Sequence, residues 1–434
     1  KINWGKNMFL KIIESISLKF LTGVNWSAAI MTAIIMSTVV NSNMIYAEES
    51  VSALEEIVVT ATKRSESIQD VPLAVTAIQG ELNEASVRRM DDIQGFAPNI
   101  YINRTPGIAS GAAITIRGVS SSEVDKSFEP AIGVVMDGMY LGTASGVLLQ
   151  NFDIERIEVL RGPQGTLHGK NTTGGVLNII RTPVSMEFGT DFKVTTGDNG
   201  RQDLKAVIQF PIIADKLGMK LFAANIEHDG HIYNTTRQED VGGDDIRNYG
   251  FTALWEPGDN FSMKIHHEIM VDKSVQGAYT NRNQIGELAC TIQLIGFDPA
   301  IGCEKDATDG PDVTQSDGTN FSDNKYESTI VTSNYNTDDF LYTYIFANRD
   351  MDEQNMQDFD GAPAHLLRMN FFNDWEQTSH EFRITSQFSE TFEFVAGYYD
   401  WNVEYEQFWD VFDLFYQLSR LIGWQGGGWG SDVA

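Results

Sequence analysis

Residues Phe152 to Pro183 read FDIERIEVLRGPQGTLHGKNTTGGVLNIIRTP. The stretch opens on a short alternating run, Ile154, Arg156, Ile157, Glu158, Val159 and Leu160, which predicts a strand. A turn-rich segment with Gly162, Pro163, Gly165, Gly169, Gly174 and Gly175 follows, then a second strand, Val176 to Ile180, stopped by Thr182-Pro183. So many glycines between two strands mean a backbone that turns tightly or approaches something closely. A phosphate-cradling loop needs four residues between its glycines and then Gly-Lys-Ser/Thr. Here only three residues separate Gly165 from Gly169, and Asn171 follows Lys170. A dinucleotide fingerprint needs a helix after the glycines, where Val176 to Ile180 has the look of a strand. On physics alone a glycine-rich turn in a small mixed domain stays open.

The run RIEVLRGPQGTLHGKNTTGGVLNI resembles the plug segment of TonB-dependent outer-membrane receptors. Upstream, Glu56-Ile57-Val58-Val59-Thr60-Ala61 resembles the TonB box of that family. Gln69-Asp70-Val71-Pro72, Ile114-Thr115-Ile116-Arg117-Gly118 and Val135-Met136-Asp137-Gly138 resemble further plug signatures, in the family's order. Together the motifs span residues 55 to about 183. The resemblance implies an α+β plug domain inside a transmembrane antiparallel β-barrel of about 22 strands, placed in the outer membrane of a Gram-negative cell.

Composition bounds the possibilities independently. Lys and Arg number 31 against 60 Asp and Glu, a net charge of −29, which argues against nucleic-acid binding, since that wants a basic face. A hydrophobic content of 42% is low for a helical membrane protein and suits strands with one apolar face. Aromatic residues make up 11%, and a membrane barrel needs aromatic girdles at its interfaces.

Taken in order, residues 1–47 read as a secretory signal, with scattered lysines, an apolar stretch from Val24 to Val40 and a small residue at Ala47. Residues 48–65 read as a mobile segment carrying the β-branched run Ile57 to Thr60, suited to adding as a strand to a partner's sheet edge. Residues 66–183 read as the plug, with strands expected at Val75 to Ile78, Ile114 to Ile116 and Ala131 to Met136, and a helix at Glu81 to Ile93. Residues 188–434 alternate apolar and polar over long runs. Leu204 to Ile212, Phe261 to Ile269, Phe340 to Phe346 and Phe382 to Phe388 are the clearest. In a membrane barrel the apolar set faces lipid and the polar set lines the lumen. His266 and His267 then point to opposite faces. The polar insertion Lys273 to Ser322 looks like an extracellular loop, and its carboxylates lack the spacing of a calcium loop. The stretch holds only about nine to eleven strands of the usual length, so only about half the barrel is expected here and the chain reads as an amino-terminal portion. Cys290 and Cys303, an even pair in an exported protein, suggest one disulfide, with free thiols as the alternative.

No catalytic constellation stands out, and no metal site or cofactor is expected. Gly107 to Gly111 has its serine one place late for a nucleophile elbow, and His267-Glu268 lacks a second histidine. The family resemblance implies active import of a scarce nutrient, a ferric siderophore before cobalamin, heme, thiamin or oligosaccharide. Partners would be TonB at Glu56, Ile57, Val58, Val59, Thr60 and Ala61, an extracellular metal chelate or small molecule, and outer-membrane lipid. It also places Asn103, Arg104, Ser121, Ser122, Met139 and Tyr140 near substrate on the plug's loops, and pairs the plug arginines Arg117 and Arg161 with a barrel-wall carboxylate. Glu381 is the candidate, because it lies opposite Phe382, Ile384 and Phe388. A signal-transducing receptor or a passive barrel would be the rivals. The first needs an extra domain between Ala47 and Glu56, and the second has no use for a TonB box.

Overall fold

A computed structural model describes residues 57–412, except 81, 83–86, 105–109, 121–124, 148–151, 276, 278, 280–311, 362, 364–366 and 389–391. Its amino-terminal part is built from short strands: β1 (Val58–Val59), β2 (Glu66–Ser67), β3 (Val75–Ile78), β4 (Ile100–Arg104), β5 (Ala112–Ile116), β6 (Val119–Ser120), β7 (Ile132–Met136), β8 (Met139–Leu141), β9 (Ile154–Arg161) and β10 (Gly175–Arg181). The stretch that decides the reading forms the centre of a five-stranded sheet ordered β3-β9-β10-β7-β8. β9 and β10 pair antiparallel and β10 pairs β7 in parallel.

The glycines between β9 and β10 have separate reasons. Gly175 sits at φ +155°, and a Cβ there would stand 2.3 Å from the Leu160 carbonyl oxygen. The turn itself contains a single helical turn, Gly165–His168. Two tight hairpin turns place both central residues at positive φ, Arg117-Gly118 (53° and 81°) and Asp137-Gly138 (48° and 92°), as a two-residue connection between twisted strands demands.

Both faces of the plug sheet are covered. Ile157, Val159, Leu177, Ile179, Val134 and Leu141 join the main core. The alternate residues Leu160, Val176, Val135 and Tyr140 join a second cluster with Val59, Ala61 and Val71. That is the period of two acting on a sheet with no solvent face. Of the helix anticipated at Glu81 to Ile93, residues 81 and 83–86 lie outside the described ones, Leu82 is helical, and Met90–Ile93 form a 3-10 turn. The Asp92 carboxylate accepts the backbone N–H groups of Arg88 and Arg89 at 2.8 and 3.0 Å, which caps that turn locally.

The second part is one antiparallel wall of β11 (Gly189–Thr196), β12 (Gln202–Ile213), β13 (Leu217–Asn234), β14 (Glu239–Gly258), β15 (Phe261–Asp272), a short β16 (Val313–Thr314), β17 (Phe321–Asn336), β18 (Phe340–Asp358), β19 (Arg368–Ser386) and β20 (Val395–Phe412). Nine of them follow one another as hydrogen-bonded neighbours, and β16 pairs off the path with β13. Side chains alternate as the pattern requires. On β15, His266, Glu268, Met270 and Asp272 are buried toward the plug, whereas His267, Ile269 and Val271 lie on the outer face. β17–β18, β18–β19 and β19–β20 hold register over their whole paired lengths.

Candidate functional site

The site is the run Ile57 to Ala61 and the bed it lies in. Val58 and Val59 pair with Ser67 and Glu66 in a two-stranded hairpin. Val59 and Ala61 are fully buried in the second apolar cluster, and Ile57 and Val58 stay 40% and 43% exposed. The described part of the run is therefore docked, where the sequence suggested a mobile segment. β-branched residues that would be free in an isolated peptide find an apolar face of the plug sheet to cover.

Polar contacts fix the run in register. Glu158 is fully buried on β9, on the same face as Leu160. Its carboxylate accepts the Thr60 N–H at 2.9 Å and the Thr60 hydroxyl at 3.2 Å. The same carboxylate accepts from Asn178 at 3.0 Å and pairs with Arg156 at 2.9 Å. His168, at the end of the helical turn, places Nε2 3.1 Å from the Ala61 carbonyl oxygen. Burial, reinforced by the Lys63 charge, pushes its pKa down to about 4. The imidazole is thus neutral at pH 7 and donates from Nε2.

The next two residues tie the run to the wall. Lys63 pairs with Glu381 on β19 at 3.2 Å. Arg64 pairs with Glu393 at 2.5 Å and donates to the Phe394 carbonyl at 2.8 Å.

Glu381 is thus on the plug side of the wall, but its partners are Lys63 and Arg383, the latter at 2.6 Å. Neither Arg117 nor Arg161 makes an ion pair with another described residue. Arg117 spends its position on the β5–β6 turn, and its guanidinium lies 3.3 Å from where a Cβ on Gly162 would stand. The pairing of Arg117 and Arg161 with Glu381 is therefore corrected. The carboxylate is taken by a cation closer to it in the fold.

Other plug–wall pairs do occur. Lys126 meets Glu353 at 2.8 Å with both side chains buried. Lys220 meets Asp153 at 2.7 Å, Lys264 meets Asp137 at 3.3 Å, Arg89 meets Asp244 at 3.3 Å, and Arg181 pairs with Glu268.

Of the residues expected near substrate, Asn103 and Arg104 are exposed on β4. Met139 and Tyr140 are buried at 0% and 6% exposure, and Tyr140 shares the apolar cluster under Val59 and Ala61. Both lie at the start of β8, where the plug sheet closes over them, so neither lines an open loop. Ser121, Ser122, Glu56, Cys290 and Cys303 lie outside the described residues. Sequence reasoning passed over Glu158, His168 and Glu393. For Glu158 there was a trace: a carboxylate amid apolar neighbours on a strand covered on both faces must find partners.

A sealed plug sheet seated against an alternating antiparallel wall, with its amino-terminal run docked beneath it, defines a plugged β-barrel of the outer-membrane type. Residues 67–176 match the TonB-dependent Receptor Plug Domain. The chain thus carries a plug domain of the TonB-dependent receptor type, and its likenesses support a place in the outer membrane. It is 28% identical over 355 residues to the pesticin receptor of Yersinia pestis, a match covering 80% of this chain and 48% of that one. It is 25% identical over 178 residues to the vitamin B12 transporter BtuB of Vibrio vulnificus, covering 40% and 28%. The solved ferric yersiniabactin uptake receptor FyuA from Yersinia pestis shares the fold at a TM-score of 0.65 and 21% identity, covering 78% of this chain and 50% of that one. The chain spans about half the length of the pesticin receptor it matches.

Proposed function

We propose that this protein imports a ferric siderophore across the outer membrane, and that TonB drives the import by pairing with Ile57 to Ala61. The observation that carries this reading is the docked run itself. It is held by a few local contacts around Thr60, Ala61, Lys63 and Arg64. Such a run leaves its bed without disturbing the main core, and a β-branched segment once free is suited to extending a partner's sheet. The receptors it resembles add support, since they are named for pesticin, for ferric yersiniabactin uptake and for vitamin B12 transport. Ligand would enter from the side of Asn103 and Arg104, and the run would be exposed on the opposite side.

Proline at position 57 or 58 removes a main-chain donor and fixes φ, which blocks strand pairing. Cells carrying either substitution should still bind ferric siderophore and accumulate none. Unchanged uptake in both variants would refute the role of this run. Accumulation of labelled cobalamin, with no accumulation of iron, would move the ligand to the second class.

A further inference from the structure

The wall has two ends, and its connections tell them apart. β12–β13, β14–β15 and β17–β18 are each joined by two or three residues, whereas residues 273 to 320 lie between β15 and β17. Outer-membrane barrels keep short turns on the periplasmic side and long loops outside. The short turns therefore face the periplasm, at the end where Arg64 is tied to Glu393.

A cavity of about 420 Å³ opens among these turns. Small-molecule sites measure roughly 300–1,000 Å³, so this one is large enough to hold a ligand. Backbone bonds stitch its frame. The Glu256 N–H donates to the Lys216 carbonyl at 2.7 Å, and the Asn336 N–H donates to the Asn260 carbonyl at 2.7 Å. Lys216, Glu256, Asn260 and Asn336 thus follow one another at the ends of β13, β14, β15 and β17, which are neighbours in that order. Adjacent strands lie about 4.8 Å apart, so the row spans roughly 14 Å.

Both signs of charge line the cavity. Lys216 and Asp215 stand at one end, Glu256 and Asp259 come next, and the amides of Asn260 and Asn336 form the other end. Lys216 makes no ion pair with another described residue, although three carboxylates share its cavity. Lys63, Lys126, Lys220 and Lys264, by contrast, are each paired. The side chains of Asn260 and Asn336 make no hydrogen bond to another described residue either. A cation and carboxylates held open around one cavity complement a peptide end that carries both an ammonium and a carboxylate. Hydrogen bonds to such ionised groups are the strong ones, and side-chain amides donate to and accept from the peptide groups between them. An extended chain covers at most about 3.5 Å per residue, so roughly four residues fill the row.

We propose that this cavity seats the free end of a cell-wall stem peptide, with a carboxylate on Lys216 and an ammonium between Glu256 and Asp259, and so tethers the barrel to the peptidoglycan beneath it. The periplasmic end of an outer-membrane barrel faces that polymer. Its short peptides carry diaminopimelate, a residue with a free amine and a free carboxylate. The inference rests on the outer-membrane placement and not on the import of iron. A free amino acid offers the same two charges and leaves the amides unused, which gives the test its second arm.

The full protein, expressed from its native gene and purified from outer membranes in detergent, is titrated with radioactive L-alanyl-γ-D-glutamyl-meso-diaminopimelyl-D-alanine by equilibrium dialysis. The tetrapeptide should bind at least about tenfold more tightly than the same peptide with its amines acetylated or with its carboxylates amidated. Lys216→Ala should weaken binding about tenfold, and Lys216→Arg should keep it. Native protein should sediment with isolated sacculi, and Lys216→Ala should stay in the supernatant. Equal binding of the blocked peptides, native binding in Lys216→Ala, or free diaminopimelate bound as tightly as the tetrapeptide would each overturn the proposal. Iron uptake by Lys216→Ala cells should stay at the native level; its loss would assign the cavity to transport and overturn the tether. Native cells that accumulate no iron from any siderophore would remove the import reading instead, with the peptide titration still deciding for or against the cavity.

Discussion

At the scale of the residue, Glu158 is the most telling side chain, a buried carboxylate whose partners come from the docked run, from β10 and from its own strand. Removing one member of such a set leaves the others buried and unpaired, which costs about 3–5 kcal/mol. Glu158→Ala should therefore release the run, read as faster tryptic cleavage after Lys63, and Glu158→Gln should do so less because it keeps an acceptor for the Thr60 N–H. Cleavage at the native rate in the alanine variant would show that the run is held by its apolar contacts alone. His168 gives the same bed a dependence on pH. Its pKa is lowered by burial to about 4 while the run is docked, and it returns toward the ordinary 6.5 when the run leaves. A lowered pKa in the docked state means that the released state binds more protons between those values. Docking is therefore strongest above about pH 6.5 and weakens as pH falls toward 4. A spin label on an Ile57→Cys variant, in a Cys290→Ser, Cys303→Ser background, should gain mobility on acidification from pH 7 to pH 5. His168→Gln should flatten that response, and an equal response with and without the imidazole would exclude His168 as its source.

At the scale of the element, the strands explain what could and could not be read in advance. Phe340, Tyr342, Tyr344 and Phe346 announced a strand by alternation, yet β18 runs on to Asp358. Beyond Phe346 the outer face turns polar, with Asn348, Asp350 and Asp352, and on the inner face Arg349 and Glu353 alternate with Ala347 and Met351. Alternation needs an apolar face, so it marks the band that meets lipid and falls silent above it. The β9–β10 core, the Asp137-Gly138 turn and the opposed faces of His266 and His267 were legible because hydrophobic period and turn chemistry are local. The partners of Glu381 were not, because which cation reaches it depends on how residues 63 and 64 cross to a strand more than three hundred positions away. The silent outer face holds two mainly acidic rows. Glu327, Asp350, Glu376 and Glu404 lie directly opposite one another across four strands, and Asp352, Asp374 and Glu406 form the next row, begun on β17 by Lys325, which lies opposite Asp352 and pairs with Glu327 at 3.0 Å. Like charges opposite each other destabilise a sheet by about 0.2–1 kcal/mol per pair. Glu376→Gln relieves two such pairs at once. It should raise thermal stability at low salt by about 1 kcal/mol, with the gain shrinking at high salt as screening replaces the mutation. A variant less stable than the native protein, or one whose gain ignores salt, would show that the rows are compensated by neighbouring cations.

At the scale of the whole molecule, the plug stays in place through ion pairs spread over the wall, from Arg181–Glu268 near the plug's end to Lys126–Glu353 on β18. Lys126–Glu353 is the most completely buried of these, at 1% and 0% side-chain exposure. Around it Glu353 also accepts from Tyr326 at 2.8 Å, Asn373 at 3.0 Å and Ser145 at 3.3 Å. Two charges withdrawn from water contribute little net stability as a pair, but one of them left alone is strongly unfavourable. Lys126→Met should therefore loosen the plug, at a cost of about 3 kcal/mol, because Glu353 keeps its charge with three neutral donors and no cation. Glu353→Gln should be comparably damaging, since it strands the Lys126 ammonium in the same dry place. With both substitutions neither charge remains. The combined variant should then be clearly less affected than the sum of the singles, as expected for two groups in direct contact. Sensitivity of cells to vancomycin, which is too large for ordinary porins, reads the seal, and thermal unfolding in detergent reads the stability. Strict additivity in both measurements would mean that Lys126 and Glu353 act separately, and the burial of this pair would then say nothing about how the plug is held.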